Sequence, residues 1–432
     1  PGGTRDVVEI VKDCCGSQTP LLPIGKQTST TGAAVPFGDL LMSLEKMAGV
    51  VDIDSAGMTA TVLPGTITGD IKHLVEDEGL YYPPDPTSEN ECTIGGNFAS
   101  NASGARSFQY GMTLDWVDGI ELVDGKGDLH SFSRRKADKI ALGPHCFSDS
   151  LTCVAGSEGI LGIVTKLRLK LMPDPGPFIA TKLFFRSLES ALEAGLYFRM
   201  ANSADRPRCV ELFDEGAIEI VRGMEKPPQI PKGAKAMLFT EWLLGDRDAT
   251  SVLEGLLPLF VRLKIMVDDT IVATTKKERT WFREIRHFVP SSLNRIAAKY
   301  HDEGGLKVAT DFCVPVEQLR PTMDFVERLR QEHGIDFMVR YGHLGNGHPH
   351  VFMRGRTGAE VKTLRSIAHL MYEKAVSLGG NIAGEHGIGK TRREFLRYSY
   401  SSEMVEALKG LKKAFDPKWI LARGNILPFQ NG

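Results

Sequence analysis

Two stretches decide how this chain is read: L22-P-I-G-K-Q-T-S-T-T-G-A33 and P83-P-D-P-T-S-E-N-E-C-T-I-G-G-N-F-A-S-N-A-S-G-A-R-S-F-Q-Y-G111. In the first, Gly25 and Gly32 let the main chain turn and approach a ligand closely. Its backbone N–H groups, with the hydroxyls of Thr28 and Ser29, form a donor-rich nest suited to a pyrophosphate. In the second, residues 93–104 are mostly Gly, Ala, Ser and Asn. Side chains this small cannot build an apolar core, but they let a large planar ligand lie against the main chain. Ile94, Phe98 and Tyr110 are spaced through it as anchors. A third segment, V154-A-G-S-E-G-I-L-G-I-V164, turns tightly into a strand-like run over 163–171.

Outward from these loops, residues 1–172 are glycine-dense, with short strand-like runs at 21–23, 50–53, 59–63 and 119–123. Helical patterns fall at 6–14 and 71–78. The order is that of an α+β domain, without regular βαβ alternation. The proline-spaced M-P-D-P-G-P ending at Pro177 then marks a linker. Beyond it, helical periodicity at 188–201, 249–263 and 316–332 alternates with strand-like 179–185 and 236–241, giving a second α+β domain. A long helical pattern at 360–377, a glycine-rich turn at 379–389 and a helix near 404–414 close the chain.

The 432 residues carry 52 basic and 54 acidic side chains, a formal charge of −2. That balance gives no general attraction to nucleic acid or to an acidic membrane. No apolar run reaches the roughly 18–20 residues of a membrane helix. The seven cysteines are dispersed, without a C-x-x-C pair, which suits reduced thiols and a cytoplasmic location, with peripheral membrane association compatible. The chain opens at Pro1 without an initiator Met, so an upstream segment is expected.

In their order and spacing, the three segments resemble the FAD domain of vanillyl-alcohol-oxidase-type, or PCMH-type, flavoproteins. That resemblance implies FAD. It places flavin contacts on Pro23, Ile24, Gly25, Lys26, Gln27, Thr28 and Ser29. In the second segment it places them on Pro84, Asp85, Ser88, Thr93, Gly95, Gly96, Asn97, Ala99, Asn101, Gly104 and Gly111. In the third they fall on Glu158, Gly159, Gly162 and Val164. The family's usual Gly-Gly is Lys26-Gln27 here. Near the C-terminus, Ala422, Arg423 and Asn425 replace Asn, Pro and Lys. The implied organisation is a PCMH-type FAD-binding domain over 1–172 and an α+β substrate, or cap, domain over 173–370. Residues 371–432 would complete the active site and pack back on the FAD domain.

The chemically pointed region is V339-R-Y-G-H-L-G-N-G-H-P-H-V-F-M353, with His343, His348 and His350 inside eight residues. Glycines allow a tight loop, and His348 and His350 share a face if the segment is a strand. G384-E-H-G-I-G389 adds Glu385 and His386. Imidazoles with one carboxylate suit Zn²⁺, or Mn²⁺ or Fe²⁺. The same loop, extended to Thr391, fits the phosphate-loop pattern. It lacks the preceding strand, however, and Glu385 would repel phosphate. Lys390, Arg392 and Arg393 are accordingly expected at a helix start or on a surface.

The pairing of these two loops resembles the D-2-hydroxyacid dehydrogenase branch of the family, which acts on D-lactate, glycolate and D-2-hydroxyglutarate. The resemblance implies metal ligation by His343, His350 and Glu385, with His386 as general base. His348 stands where Asn is usual and Asn346 where Asp is usual, which leaves His348 as a further ligand or as a group behind one. Arg286, in R-H-F-V-P, resembles the arginine that holds the substrate carboxylate, a task that suits its planar fork. Lys307 resembles a second cation. The implied reaction is oxidation of a small 2-hydroxyacid to the 2-oxo acid, with hydride passing to the flavin. An electron-acceptor protein or quinone is the implied partner, and a homodimer or a subunit of a redox complex is compatible. Alternatives on the same fold are alkylglycerone-phosphate-synthase-like or phenol-oxidase chemistry, or an electron-transferring FAD subunit.

Overall fold

The computed structural model describes residues 1–135, 137, 139–144, 149–202 and 206–429. They form two compact units. The first comprises Pro1–Gly104, Tyr110–Asp174 and the chain from Glu385 onward; the second comprises Ala105–Gln109 and Pro175–Gly384.

In the first unit, β1 (Leu21–Ile24) pairs in parallel with β2 (Leu40–Ser43). The main sheet holds β3 (Val50–Asp54), β4 (Thr59–Val62), β6 (Val117–Val123), β7 (Leu129–Ser133) and β8 (Ile163–Lys170), in the order β3-β4-β8-β6-β7. Every pairing in it is antiparallel. Strands β5 (Leu80–Tyr81) and β9 (Met172–Pro173) form a separate pair. The reason β8 is a strand is legible in its alternation: Leu167 and Leu169 are fully buried, while Lys166, Arg168 and Lys170 lie on the other face. The inward side packs on Val62, Ile71, Phe98 and Leu122.

A second core joins the two ends of the chain. Val7 and Val11 of the helix Thr4–Ser17 pack with Leu21, Val123, Ile163, Ile420 and Leu421. The amide of Leu21 donates to the Ile420 carbonyl at 2.7 Å, and that of Ala422 to Leu21 at 2.8 Å. The closing helix, Ser402–Phe415, therefore belongs to the first unit. The D-P-K-W-I-L segment is fixed by Asp416. Its carboxylate takes the amides of Ile420 and Leu421 and the ammonium of Lys412, the last at 2.5 Å. Lys412 also donates to the carbonyls of Ile160 and Leu421.

The second unit is one antiparallel sheet of seven strands: β10 (Phe178–Phe185), β11 (Cys209–Asp214), β12 (Ala236–Leu243), β13 (Ile271–Ala273), β14 (Gly304–Ala309), β15 (Met338–His343) and β16 (His348–Thr357). Their order is β13-β10-β12-β11-β15-β16-β14. The helix Lys276–Ala298 starts at a capping box formed by Thr275 and Glu278. Its buried stripe, Phe282, Ile285, Val289 and Leu293, has helical spacing and lies on Phe184, Phe213, Met237, Phe239 and Phe352 of the sheet. The pentapeptide Ala105–Gln109 is held in this unit by Arg106, whose guanidinium makes two bonds to Glu241 at 2.9 and 3.3 Å. Arg208 donates to the same carboxylate at 2.9 Å. Burial alone would raise the Glu241 pKa, but the two guanidiniums hold it well below the usual range.

No helix among the described residues is long and apolar enough to cross a membrane. Removing one partner of a fully buried pair leaves a bare charge. Lys412→Ala is therefore expected to lower unfolding free energy by roughly 3–5 kcal/mol, read as a drop in the urea midpoint at unchanged slope. A shift equivalent to less than about 1 kcal/mol, the scale of an exposed pair, would show that the Lys412–Asp416 contact does not hold the C-terminal segment.

Candidate active site

Within the first unit the three glycine-rich segments meet. Strand β1 delivers Pro23 and Ile24 to the loop that follows. A Cβ on Gly25 would overlap Oγ1 of Thr93, so the first two segments touch through their smallest groups. Thr93 caps the helix Ile94–Ser100 by accepting from the Gly96 amide at 3.3 Å. The third segment joins the second through two bonds: Glu158 N–H to Ala99 O at 2.8 Å and Gly156 N–H to Phe98 O at 3.1 Å. Gly159 brings the chain so near β1 that a Cβ would stand 3.1 Å from Pro23.

Other residues assigned to the flavin from sequence hold the loops in shape. The Asp85 carbonyl leaves no room for a Cβ on Gly104, nor the Asp115 carboxylate for one on Gly111. Gly95 packs on Pro64 and Gly162 on Leu122. Asn97 is buried and donates to Thr68 Oγ1 at 2.7 Å; Asn101 accepts from the Leu114 amide at 2.9 Å. The Ser88 carbonyl accepts from Cys92, while Pro84 and Val164 are buried. The donors lie elsewhere. Residues 26–30 are exposed, and their backbone amides donate to no group among the described residues. Gln27 is left-handed, with φ of 55°. A turn presenting successive unbonded N–H groups fits the pyrophosphate of FAD.

Glu158 locks this arrangement. Its two carboxylate oxygens accept from the amides of Ile388 and Gly389 at 2.6 and 2.7 Å. Gly387 and Gly389 have φ of 74° and 54°, left-handed values that let glycine aim both amides at one carboxylate. The Glu158 carbonyl takes a bond from Asn425, which also donates to Ala33 O, both at 3.0 Å. Lys390 donates to Asn425 Oδ1 at 2.7 Å and Ala33 O at 3.2 Å. It is half-buried and ties three segments together, where sequence placed it at a helix start or on a surface. Asn425 thus has a specific structural task, although it departs from the usual family residue. Burial pushes the Glu158 carboxyl up to about 7, against the pull of the two amides and then of Arg392 and Lys390. In the same unit, His386 Nε2 lies 3.2 Å from Oε1 of its neighbour Glu385.

The second unit gathers the histidines. Strands β15 and β16 form a hairpin in which His343 pairs with His348 and Tyr341 with His350. Residues opposite each other share a face, as do His348 and His350 two apart, so all three imidazoles emerge on one side. The turn between them is held tightly: Gly347 is left-handed at φ of 70°, and a Cβ there would overlap the Val314 carbonyl. Asn346 donates to Ser107 at 2.6 Å. The three rings are buried, with centroids 4.6 to 5.4 Å apart. One nitrogen from each lies within 4.8 Å of the others. Gly384, the residue before Glu385, leaves its would-be Cβ 2.5 Å from the His348 ring.

Two carboxylates back this cluster. Glu211 of β11 accepts from Arg286 Nε at 2.9 Å and meets His343 Nδ1 at 2.7 Å. Asp311, fully buried just past β14, meets His348 Nε2 at 3.1 Å, and its amide donates to the Tyr372 hydroxyl at 3.2 Å. Burial would raise the Glu211 carboxyl, yet the Arg286 guanidinium and then His343 hold it below its usual value. Glu211 was missed in sequence, although C-V-E-L-F-D carries the signal. A carboxylate on the buried face of an apolar strand needs a charged partner. Lys307 is exposed on β14, level with Arg354 of β16, and donates to Asn294 at 2.7 Å. The structure does not bring it to the histidines.

Residues 180–426 match the family described as FAD linked oxidases, C-terminal domain, and residues 1–133 match the FAD binding domain. The chain is 30% identical over 433 residues to glycolate oxidase subunit GlcD of Bacillus subtilis (strain 168), covering 99% of this chain and 87% of that one. It is 30% identical to D-lactate dehydrogenase of Anaerostipes hadrus, covering 98% and 87%, and 26% identical to D-2-hydroxyglutarate dehydrogenase of Stutzerimonas stutzeri (strain A1501), covering 99% and 89%. Among solved structures, p-cresol methylhydroxylase aligns with a TM-score of 0.71 at 16% identity, over 100% of this chain and 88% of that chain. Alkyldihydroxyacetonephosphate synthase aligns at 0.70 and 16%, over 98% and 75%. These two likenesses show the fold, which is PCMH-type.

The Glu158 carboxyl yields a pH prediction. Its ordinary pKa of 4.5 rises to about 7 in the fold, so folding favours the neutral acid. That contribution, roughly 3 kcal/mol, is full below the unfolded value and is lost as pH rises through the folded one. Melting temperature should therefore decline between about pH 5 and 8, and Glu158→Gln should flatten the decline. Parallel profiles for the two proteins would exclude Glu158 as its source.

Proposed function

Because the chain belongs to the FAD-linked oxidase family, we propose that it oxidises a D-2-hydroxy acid, of the size of D-lactate, glycolate or D-2-hydroxyglutarate, to the 2-oxo acid. The observation that carries this reading is the Arg286–Glu211–His343 chain. A single buried carboxylate connects a cation suited to the substrate's carboxylate with a histidine suited to a metal ion. A 2-hydroxy acid presents a carboxylate and a hydroxyl on adjacent carbons, and so needs the two kinds of anchor side by side. The hydroxyacid-oxidising relatives support the same substrate class.

Bound FAD supplies a two-electron acceptor for the hydrogen that leaves C2 as hydride. A divalent ion, Zn²⁺ or alternatively Mn²⁺ or Fe²⁺, held by His343, His350 and Glu385, would supply positive charge that acidifies the 2-hydroxyl. His386 takes the hydroxyl proton as general base, and its neighbour Glu385 at 3.2 Å favours the charged imidazole that results. Arg286 grips the carboxylate and fixes which face of C2 is presented. Glu211 holds the Arg286 Nε, which sets the plane of the guanidinium. The residues are thus left with the 2-oxo acid bound at Arg286 and the hydroxyl proton on His386, and an acceptor protein or quinone would take the two electrons from the bound cofactor.

Mixing the yellow protein anaerobically with each of the three acids tests the reaction. At least one D-2-hydroxy acid should bleach the flavin band, and none doing so would sink the proposal. His386→Ala should keep its FAD yet reduce it at least about 100-fold more slowly, the scale of general base catalysis. Rapid bleaching of that variant would remove His386 from the mechanism. Treatment with EDTA should abolish reduction and leave FAD bound; full turnover in metal-free protein would exclude the ion.

A further inference from the structure

We propose that His348 is itself a metal ligand, so that three imidazoles of one β-hairpin, His343, His348 and His350, make up the protein's principal metal-binding set. The inference rests on the metal-assisted reading above and deepens it.

The hairpin register carries the argument. His348 sits directly opposite His343 and two residues before His350, which puts its ring beside both of the others on one face. Its centroid is 5.4 Å from His343 and 4.6 Å from His350. A nitrogen from each residue lies within 4.8 Å of the other two. An ion with metal–nitrogen bonds of about 2.0–2.1 Å keeps its imidazole nitrogens roughly 3.4 Å apart. Small rotations of the rings therefore close the set.

The hydrogen bonds behind the rings point the same way. A metal-binding histidine characteristically gives its other ring nitrogen to a carboxylate, which fixes the tautomer and makes the ligand more basic. Glu211 occupies that place at Nδ1 of His343. Asp311 occupies it at Nε2 of His348, leaving Nδ1 for the ion. His348 thus has the same backing as a histidine already assigned to the metal. An asparagine at this position could donate its amide to Asp311 but could not offer the ion an imidazole nitrogen. The contact with Gly384 adds a steric reason: any larger residue there would push the ring out of the cluster.

The ligand class is a first-row divalent ion of borderline character, for which imidazole is a preferred donor. With three neutral imidazoles beside the single carboxylate of Glu385, the ion keeps more of its charge than in a site built mainly of carboxylates. The carboxylates of Glu211 and Asp311 then act one bond further out.

The test compares the FAD-loaded protein with its His348→Asn variant. Zn²⁺ affinity is measured by competition with a chromophoric chelator, and Co²⁺-loaded samples are compared by visible absorption. The variant is expected to bind Zn²⁺ at least about 10-fold more weakly, the scale of losing a supporting contact or more, and to show an altered Co²⁺ band. X-ray absorption of Zn²⁺-loaded wild-type protein should count three imidazoles; this needs no variant and stands if His348→Asn fails to fold. Unchanged affinity with an unchanged Co²⁺ spectrum, or a count of two imidazoles, overturns the assignment of His348 and leaves the metal-assisted reaction standing. Failure of wild-type protein to bind either ion overturns both.

Discussion

The buried carboxylate of Glu158 is the constraint on which the flavin unit depends. Three segments far apart in sequence converge on this residue. Its amide binds the second glycine-rich segment, its two oxygens collect the loop at 388–389, and its carbonyl receives Asn425. Through Asn425 and Lys390 the network reaches Ala33 at the end of the first loop. A site that binds a ligand through backbone amides cannot rely on side-chain packing to define its shape. The small residues that let a ligand approach also give the loop little to hold on to. A single buried acid with several donors supplies the missing rigidity, because each bond left unmade in that place would leave a desolvated polar group.

Glu211 has the corresponding position in the second unit. Its strand is apolar on both sides of it, with Val210 and Leu212 buried, so the carboxylate is fixed by the sheet before any ligand arrives. Arg286 comes from a helix and His343 from a hairpin. Nothing in the local sequence of either would orient one against the other. A shared acid does, and it also neutralises charge that would otherwise be costly to bury. The Glu241 cluster, with Arg106 and Arg208, follows the same rule without any assigned chemistry, and its effect is to anchor a five-residue excursion of the chain.

Much of this was legible in sequence. The alternation in β8, the proline linker before the second unit and the helical periodicity at 188–201 and 316–332 all express the burial pattern directly. The three histidines were readable as a group because their spacing is short enough for one hairpin to bring them together. The glycine-rich segments were readable as loops because their composition excludes a core, and the structure brings them together. The partners were not legible. Glu211 lies 132 residues from His343, and Asp311 lies 37 from His348. Such pairs are set by strand order in the sheet, which periodicity does not reveal. Lys307 shows the converse limit: its motif resembles a site cation, but the strand register turns it toward Asn294 and solvent. Lys390 looked like a surface residue because the carbonyls it satisfies come from a loop 357 residues earlier.

The pairing of Leu21 with Leu421 has a consequence for how the protein is made. Strand β1 leaves the ribosome well before the backbone that completes its environment, which lies 400 residues further along the chain. At about 5–20 residues per second, the segment Pro175–Gly384 is fully translated before residues 385–429 exist. The unit begun first is therefore finished last. Its apolar faces at Val7, Val11 and Leu21 must stay uncovered by their final partners while the other sheet can already assemble. A nascent chain of this kind is open to aggregation at Val7, Val11 and Leu21, and Ile420 and Leu421 act as the closure that ends that exposure.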